Sequence, residues 1–385
     1  MLVNLKVRRF VQNHICPSCQ FTDDYERSTA LRLKVRQVVL CSMSLQLLIG
    51  LAVVTSSCSR NGTPNVKVQF VNTKVGWIVG KNLWRTEDGG VTWTTVRAAG
   101  FGTFKAEYIG YGHRAIQFVD PDFGIQLGAG VLAKTVDGGR TWNEYPLPET
   151  NGQDIPPQTV VFVSRELGWL VGKFIYRTND GAKTWQALTK TPLGPSQAEP
   201  NRQFHPTYAD YMPALWFTDS SHGVMARVDG HIYVTNDGGV SWEKVLTADR
   251  MIRDLVFVDR NTGWIVGTEG LLMKTDDGGL TWNVNPTHTA ATLHSISFGG
   301  NLIGCAAGDN GTILCTNDGG RTWKKGSIRG LSEPIPPLGS ISLLDEKHAW
   351  AVGGKSESIE PSLTASSSLI LRSDDGGVNW YVVDL

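Results

Sequence analysis

The chain alternates apolar and polar residues in short runs, broken by glycine and small polar residues. Seven runs close on a large apolar side chain: Val66–Phe70, Ile116–Phe118, Val160–Phe162, Leu215–Phe217, Leu255–Phe257, Ile296–Phe298 and Ile341–Leu343. Period-two alternation predicts half-buried strands, and no segment of the repeat region carries the 3.6-residue period of an amphipathic helix. A second apolar run follows each first one. It opens as Gly76-Trp77, Gly168-Trp169, Gly263-Trp264 and Ala349-Trp350, with Gly304-Cys305 in place of the tryptophan. Phe123-Gly124-Ile125 and Gly223-Val224 are weaker copies.

A third run then leads into a box, Thr-x-Asp-Gly-Gly-x-Thr-Trp, which begins a fourth. The box aspartates are Asp88, Asp137, Asp180, Asp237, Asp277, Asp318 and Asp375, separated by 49, 43, 57, 40, 41 and 57 residues. The closing tryptophans are Trp93, Trp142, Trp185, Trp242, Trp282, Trp323 and Trp380. Asp-Gly-Gly between β-like runs reads as a hairpin turn, because glycine takes positive φ without a Cβ clash. The carboxylate accepts nearby backbone N–H groups, and the tryptophan buries a large surface that docks the hairpin. The third box carries Ala182 at its second glycine, which predicts a slightly altered turn. Four strands in about 45 residues, repeated seven times, predict an all-β fold: a single seven-bladed β-propeller of four-stranded antiparallel blades, with 28 strands in all. The first run supplies an inner strand and the last an outer one. Blade seven is therefore expected to be complete in itself, and the ring to close by packing of blade on blade rather than by a strand swapped from the other terminus.

The boxes resemble Asp-box repeats, also called bacterial neuraminidase repeats. The full Gly-Trp to Asp-Gly-Gly to Trp unit resembles the photosystem II assembly and stability factor family and its bacterial relatives, from Val66 to Leu385. Such boxes are shared by sialidases, xyloglucanases, sortilin-type receptors and assembly factors, so they specify fold far more than function.

Composition adds a compartment. The formal charge is zero over 385 residues, and residues 58–385 carry 29 Lys/Arg against 33 Asp/Glu. With no basic run and no nucleic-acid motif, a nucleic-acid partner is not expected. Arg32, Lys34 and Arg36 precede a mostly apolar stretch, Gln37 to Val54, and then Thr55-Ser56-Ser57-Cys58. That order is a signal segment ending at a cysteine. Three outcomes stand: lipidation of Cys58, cleavage near Ser57, or an uncleaved anchor. The domain reading is leader and signal peptide over 1–57, linker over 58–65 and propeller over 66–385. The protein is expected on the periplasmic, lumenal or extracellular side, membrane-anchored through its lipid. His14, Cys16 and Cys19 lack the second pair a metal or redox site needs, so this segment reads as leader.

Cys305 and Cys315 flank Gly308-Asp309-Asn310-Gly311-Thr312. A three-residue hairpin loop there pairs 305 with 315 at a non-hydrogen-bonded site. A cross-strand disulfide and two buried thiols are the alternatives. Arg85, Lys134, Arg177, Lys274 and Arg372 precede five boxes. The same register sets Arg85 opposite Trp77, Arg177 opposite Trp169 and Lys274 opposite Trp264, as cross-strand cation–π pairs.

Seven equal aspartates argue for a structural role, since an active site needs unlike residues in one place. No metal and no cofactor are expected. Function belongs where the repeats differ. Residues 97–113 hold Tyr108, Tyr111 and His113, residues 189–212 hold Arg202, His205, Tyr208 and Tyr211, and residues 354–368 form a Ser-rich insertion. Four positions before each first-run aromatic stand Val66, Arg114, Gln158, Pro213, Arg253, His294 and Gly339, which ring the channel mouth in this reading. Arg114, Arg253 and His294, beneath the Tyr/His-rich loops, form the candidate binding surface. The alternative has the aromatics covering the propeller top while the arginines pair with Asp254 or Glu107.

The family resemblance implies a non-catalytic, monomeric scaffold for a membrane protein or protein complex. A glycan-binding module is the alternative, as is a sialidase-like glycoside hydrolase. That hydrolase chemistry needs an arginine triad and a Tyr–Glu pair, which are not evident here, and xyloglucanases use two propellers.

Overall fold

The computed structural model describes residues 67–79, 83–97, 116–127, 131–148, 157, 159–172, 174–190, 214–354 and 368–383. Residues from Asn61 onward form one compact unit. Its strands assemble into seven antiparallel sheets, each built from consecutive segments of chain. The innermost strands are β1 (Lys67–Phe70), β5 (Ile116–Phe118), β9 (Thr159–Phe162), β13 (Ala214–Phe217), β17 (Ile252–Phe257), β21 (Leu293–Phe298) and β26 (Leu338–Leu343). They pack against one another around the ring, and β1 meets β26 to close it. Helix among the described residues is confined to two 3-10 turns, Thr268–Gly270 and Asp309–Gly311. The all-β propeller expected from the alternation is the observed fold.

The strand count differs from the sequence reading: 29 strands stand among the described residues. The additional one, β25 (Ser327–Arg329), follows the two-residue outer strand of the sixth blade. It pairs in parallel with β29 (Asn379–Val382), the outer strand of the seventh. Gly326 makes this possible, because a Cβ there would fall 2.8 Å from Gly377 O. The Arg329 guanidinium donates from Nε and Nη2 to Asn379 Oδ1 at 3.0 and 2.8 Å.

Side chains satisfy the inner strand edges. Gln69 donates to Phe118 O at 2.7 Å and accepts from Phe118 N at 3.0 Å, and Gln117 treats Phe162 in the same way. At the closure, Val68 N and Phe70 N donate to the hydroxyls of Ser340 and Ser342, both at 3.3 Å. Neighbouring blades are thus joined by backbone groups that would otherwise face the channel unpaired.

Each box repeats the same core of hydrogen bonds. In the first, Thr86 Oγ1 donates to Asp88 Oδ1 at 2.8 Å and accepts from Gly90 N at 2.8 Å. Asp88 Oδ1 also accepts from Val91 N and Thr92 N, and its Oδ2 accepts the Thr92 hydroxyl at 2.5 Å. The Thr92 hydroxyl and backbone, ahead of the other contacts, hold the Asp88 carboxyl down to about 2. The altered turn expected in the third box does not occur. Ala182 adopts φ 71°, and its N–H donates to Thr178 Oγ1 at 3.0 Å, as the glycines do in the other boxes. A second set of carboxylates organises the first hairpin turns. Asp120, Asp219, Asp259 and Asp345 each accept the backbone N–H groups two and three residues on.

The blades are jointed by the second-run tryptophans. Trp77, Trp169, Trp264 and Trp350 stack on Phe118, Phe217, Phe298 and Phe70 of the following blades. Trp77 and Trp169 donate to the box carbonyls of Gly138 and Gly238, at 3.0 and 2.8 Å. Arg85, Arg177 and Lys274 lie 5.8, 5.6 and 5.7 Å from the ring centres of Trp77, Trp169 and Trp264, at the cross-strand register. Arg372 over Trp350 adds a fourth pair at 5.6 Å. Three joints depart from this pattern. In the second blade Ile125 replaces the indole, so Lys134 covers Tyr145 and donates to Gly181 O of the next box at 2.8 Å. In the fourth, His222 sets Nε2 3.0 Å from Gly278 O. In the sixth, Cys305 and Cys315 hold the register position of the Trp–cation pair and are joined by a disulfide.

Candidate functional site

The boxes lie beside the first hairpin turns on one face of the ring, where Gly89 N donates to Lys74 O and Gly138 N to Asp122 O, and the second-to-third-strand turns leave the antiparallel blades on the other. Arg253 and His294 stand near the start of β17 and β21, at the end that opens onto the second face. Both occupy a break in the ladder. Pairing skips from Ile252 to Asp254 and from Leu293 to Ser295, and the same skip passes Gly339 in β26. Three consecutive inner strands therefore carry a β-bulge at one shared position, which re-aims the side chain there.

His294 is nearly buried, and its Nε2 lies 2.8 Å from Asp309 Oδ1. Asp309 belongs to the turn joining β22 (Gly304–Gly308) to β23 (Ile313–Thr316), where Asn310 takes φ 55° and Gly311 φ 61°. Burial pushes the Asp309 carboxyl up, but the hydrogen bond and charge of His294, with the hydrogen bonds of Thr292, together outweigh it and hold the group below its ordinary value. Arg253 is solvent-exposed yet closely surrounded by protein. That surrounding protein lowers its pKa, against the opposing charge of Asp309. Asp254 spans the joint to the next blade: Oδ1 accepts from Leu255 N at 2.8 Å and Oδ2 from Ile296 N at 3.1 Å.

A neighbouring group was not singled out from the sequence. Arg227 is buried and sets Nη2 2.8 Å from Asp229 Oδ2, while His231 Nδ1 lies 3.0 Å from Asp229 Oδ1. Tyr233 is buried beside them, and burial raises its hydroxyl pKa against the charge of Arg227. The backbone of this turn accepts from Ile252 N at Val228 O, 3.3 Å away, so it abuts the residue before Arg253. The Arg-x-Asp-x-His-x-Tyr alternation across a strand turn is the signal that could have found it. Arg114, His113, Tyr108, Tyr111, Arg202, His205, Tyr208, Tyr211 and Cys58 lie outside the described residues.

A ring of seven Asp-box blades defines an Asp-box β-propeller. Residues 61–208 and 244–380 match the model of the family described as photosynthesis system II assembly factor YCF48, and the chain belongs to that family. It is 29% identical over 147 residues to the photosystem II assembly lipoprotein Ycf48 of Synechococcus sp. (strain CC9902), a match covering 36% of this chain and 39% of that one. The match thus spans about two fifths of the relative's length. A solved structure described as YCF48 bound to D1 peptide superposes with TM-score 0.56 at 20% identity, covering 82% of this chain and 94% of that one. The GH74 xyloglucanase of Xanthomonas campestris superposes with TM-score 0.58 at 13% identity, covering 84% of this chain and 55% of that one. At these identities the two superpositions describe the fold alone.

Proposed function

We propose that this chain is an exported, lipid-anchored and non-catalytic monomer that holds a segment of a membrane-protein partner on its channel face, as a photosystem II assembly factor does. Family membership carries the reading, and the lipoprotein named among its relatives supports an anchor at Cys58. The YCF48 structure described with a D1 peptide supports a peptide of a photosystem II subunit as the occupant. On this chain Arg253 and Arg227 would supply guanidinium groups, with His294 and His231 at their flanks. Asp309 and Asp229 would fix their orientation. Arg114 and the loop residues Tyr108, Tyr111, His113, Arg202, His205, Tyr208 and Tyr211 would complete the surface. The domain division at 57 and 65 accompanies this reading.

The test is a cross-linking pull-down from native membranes with a tag at Leu385, comparing the intact chain with Arg114→Ala/Arg253→Ala. A defined membrane-protein complex captured by the first and lost from the second supports the reading. Capture that survives the substitutions moves the site off the channel face. If neither form captures a partner, the assembly reading fails, and glycan-array and hydrolase screens become the next measurements.

A further inference from the structure

We propose that Cys305–Cys315 is a thiol–disulfide exchange site, taking a small or protein dithiol as co-reactant, whose redox state sets how firmly the sixth blade holds the seventh. The inference is independent of the channel-face reading. It rests on what the cystine replaces and on what it touches.

At four of the seven joints an indole and a long cation lie against the box of the following blade. The sixth joint has neither. Its second strand reads Gly304-Cys-Ala-Ala-Gly308, and all five residues are buried. The cystine fills the space where the other joints place their rings. Cys305 and Cys315 Sγ both lie against Gly377, the second box glycine of the seventh blade, and Cys305 Sγ is 3.9 Å from Gly376 O. Gly377 takes φ 91°, and its N–H donates to Ser373 Oγ at 3.0 Å, which holds the turn in place. The pair also belongs to the apolar cluster of the 6–7 joint, with Ile341, Leu343, Leu371 and Trp380.

Exchange changes the packing at this contact. Once the bond is broken each thiol takes its own rotamer against Gly376 and Gly377. The close-fitted joint between the blades is thereby disturbed. Cys305 is fully buried, but Cys315 is partly exposed and offers the point of attack. A thiolate of the dithiol attacks Cys315 Sγ, the S–S bond breaks, and Cys305 leaves as a thiolate and takes a proton. The second thiol of the reagent then displaces Cys315 from the mixed disulfide. The dithiol departs as its own disulfide, two electrons pass to the protein, and both cysteines end as thiols.

The experiment is hydrogen exchange by mass spectrometry on the full chain, with and without a dithiol below the unfolding transition, paired with alkylation of freed thiols. The same measurements are made on Cys305→Ala/Cys315→Ala, which keeps the other four cysteines. The expected result is two residues newly alkylated on adding the dithiol, Cys305 and Cys315, beyond any that react without it, in the folded protein. Exchange should rise about tenfold in β27 (Ala349–Gly354) and β29, with blades two to four unchanged. The double alanine variant should not respond to the dithiol. Alkylation of both cysteines with no change in the seventh blade would overturn the proposal. So would resistance of the disulfide to the dithiol until the whole chain unfolds, or an equal response from the double alanine variant.

Discussion

Trp77 lies flat on Phe118 of the following blade, with ring centroids 3.6 Å apart and planes 2° from parallel. Both rings are almost wholly buried, and Trp142 meets Phe118 edge-on from the far side. The contact joins two blades that share no backbone ladder. Trp77→Ala should therefore destabilise the propeller by about 3–5 kcal/mol, the cost of emptying a large aromatic site. Denaturant unfolding should show a lower midpoint. A midpoint within error of the parent would mean that the joints carry little of the stability.

Ala182 holds a turn conformation that the other boxes give to glycine. Its φ of 71° crowds an L side chain, while its hydrogen bond to Thr178 keeps it there. Ala182→Gly should stabilise the fold by roughly 1 kcal/mol, because relief of the left-handed strain exceeds the added freedom of the unfolded chain. The converse change, Gly90→Ala, should destabilise. That glycine has φ 84°, and a Cβ would fall 2.5 Å from Trp350 Nε1. Thermal midpoints of the two variants should move in opposite directions.

The box carboxylates make stability depend on pH. Asp88, Asp180 and Asp318 are held at about 2, chiefly by the hydroxyls of Thr92, Thr184 and Thr322, whereas an unfolded aspartate titrates near 3.9. A folded pKa below the unfolded one gives a contribution that is complete above about pH 4. It is lost as pH falls from there through 2. Thermal midpoints should be level near neutrality and drop across that acid window. Asp88→Asn should be less stable than the parent at pH 7, and the gap should narrow by pH 2. A gap that does not change with pH would show that the charge of the box contributes nothing.

If the channel mouth receives an acidic peptide, Arg253→Ala should weaken binding about tenfold, and the remaining affinity should depend less on salt. Asp309→Asn should act through His294 instead, releasing the ring from its partner at 2.8 Å. Titration of the peptide by fluorescence anisotropy at two ionic strengths checks both. Unchanged affinity in Arg253→Ala would remove this residue from the surface.

The ring and its boxes were legible because they rest on local chemistry repeated many times. Period-two alternation, glycines that must take positive φ and a threonine or serine two residues before each aspartate are all visible in a single sequence. β25 was not, since Ser327-Ile328-Arg329 is too short to carry a pattern, and its pairing with β29 is decided by tertiary proximity. His222 was hidden for a related reason. It stands one residue before the weak copy Gly223-Val224, and only the folded ring brings its Nε2 to Gly278 O. Among the channel residues, the register placed Arg253 and His294 on equivalent positions. The pair of buried Arg227 with half-buried Asp229 escaped because a turn between strands is free of the repeat's constraints.

β29 is held on both flanks, by β28 (Ser368–Ser373) on one side and by β25 on the other, a strand formed some fifty residues earlier in the chain. The slot between them stands empty until β29 enters it. A chain lacking β29 presents two open edges, each able to recruit a strand from another molecule. One four-residue strand thus seals two edges at once, by the geometry of the sheet itself.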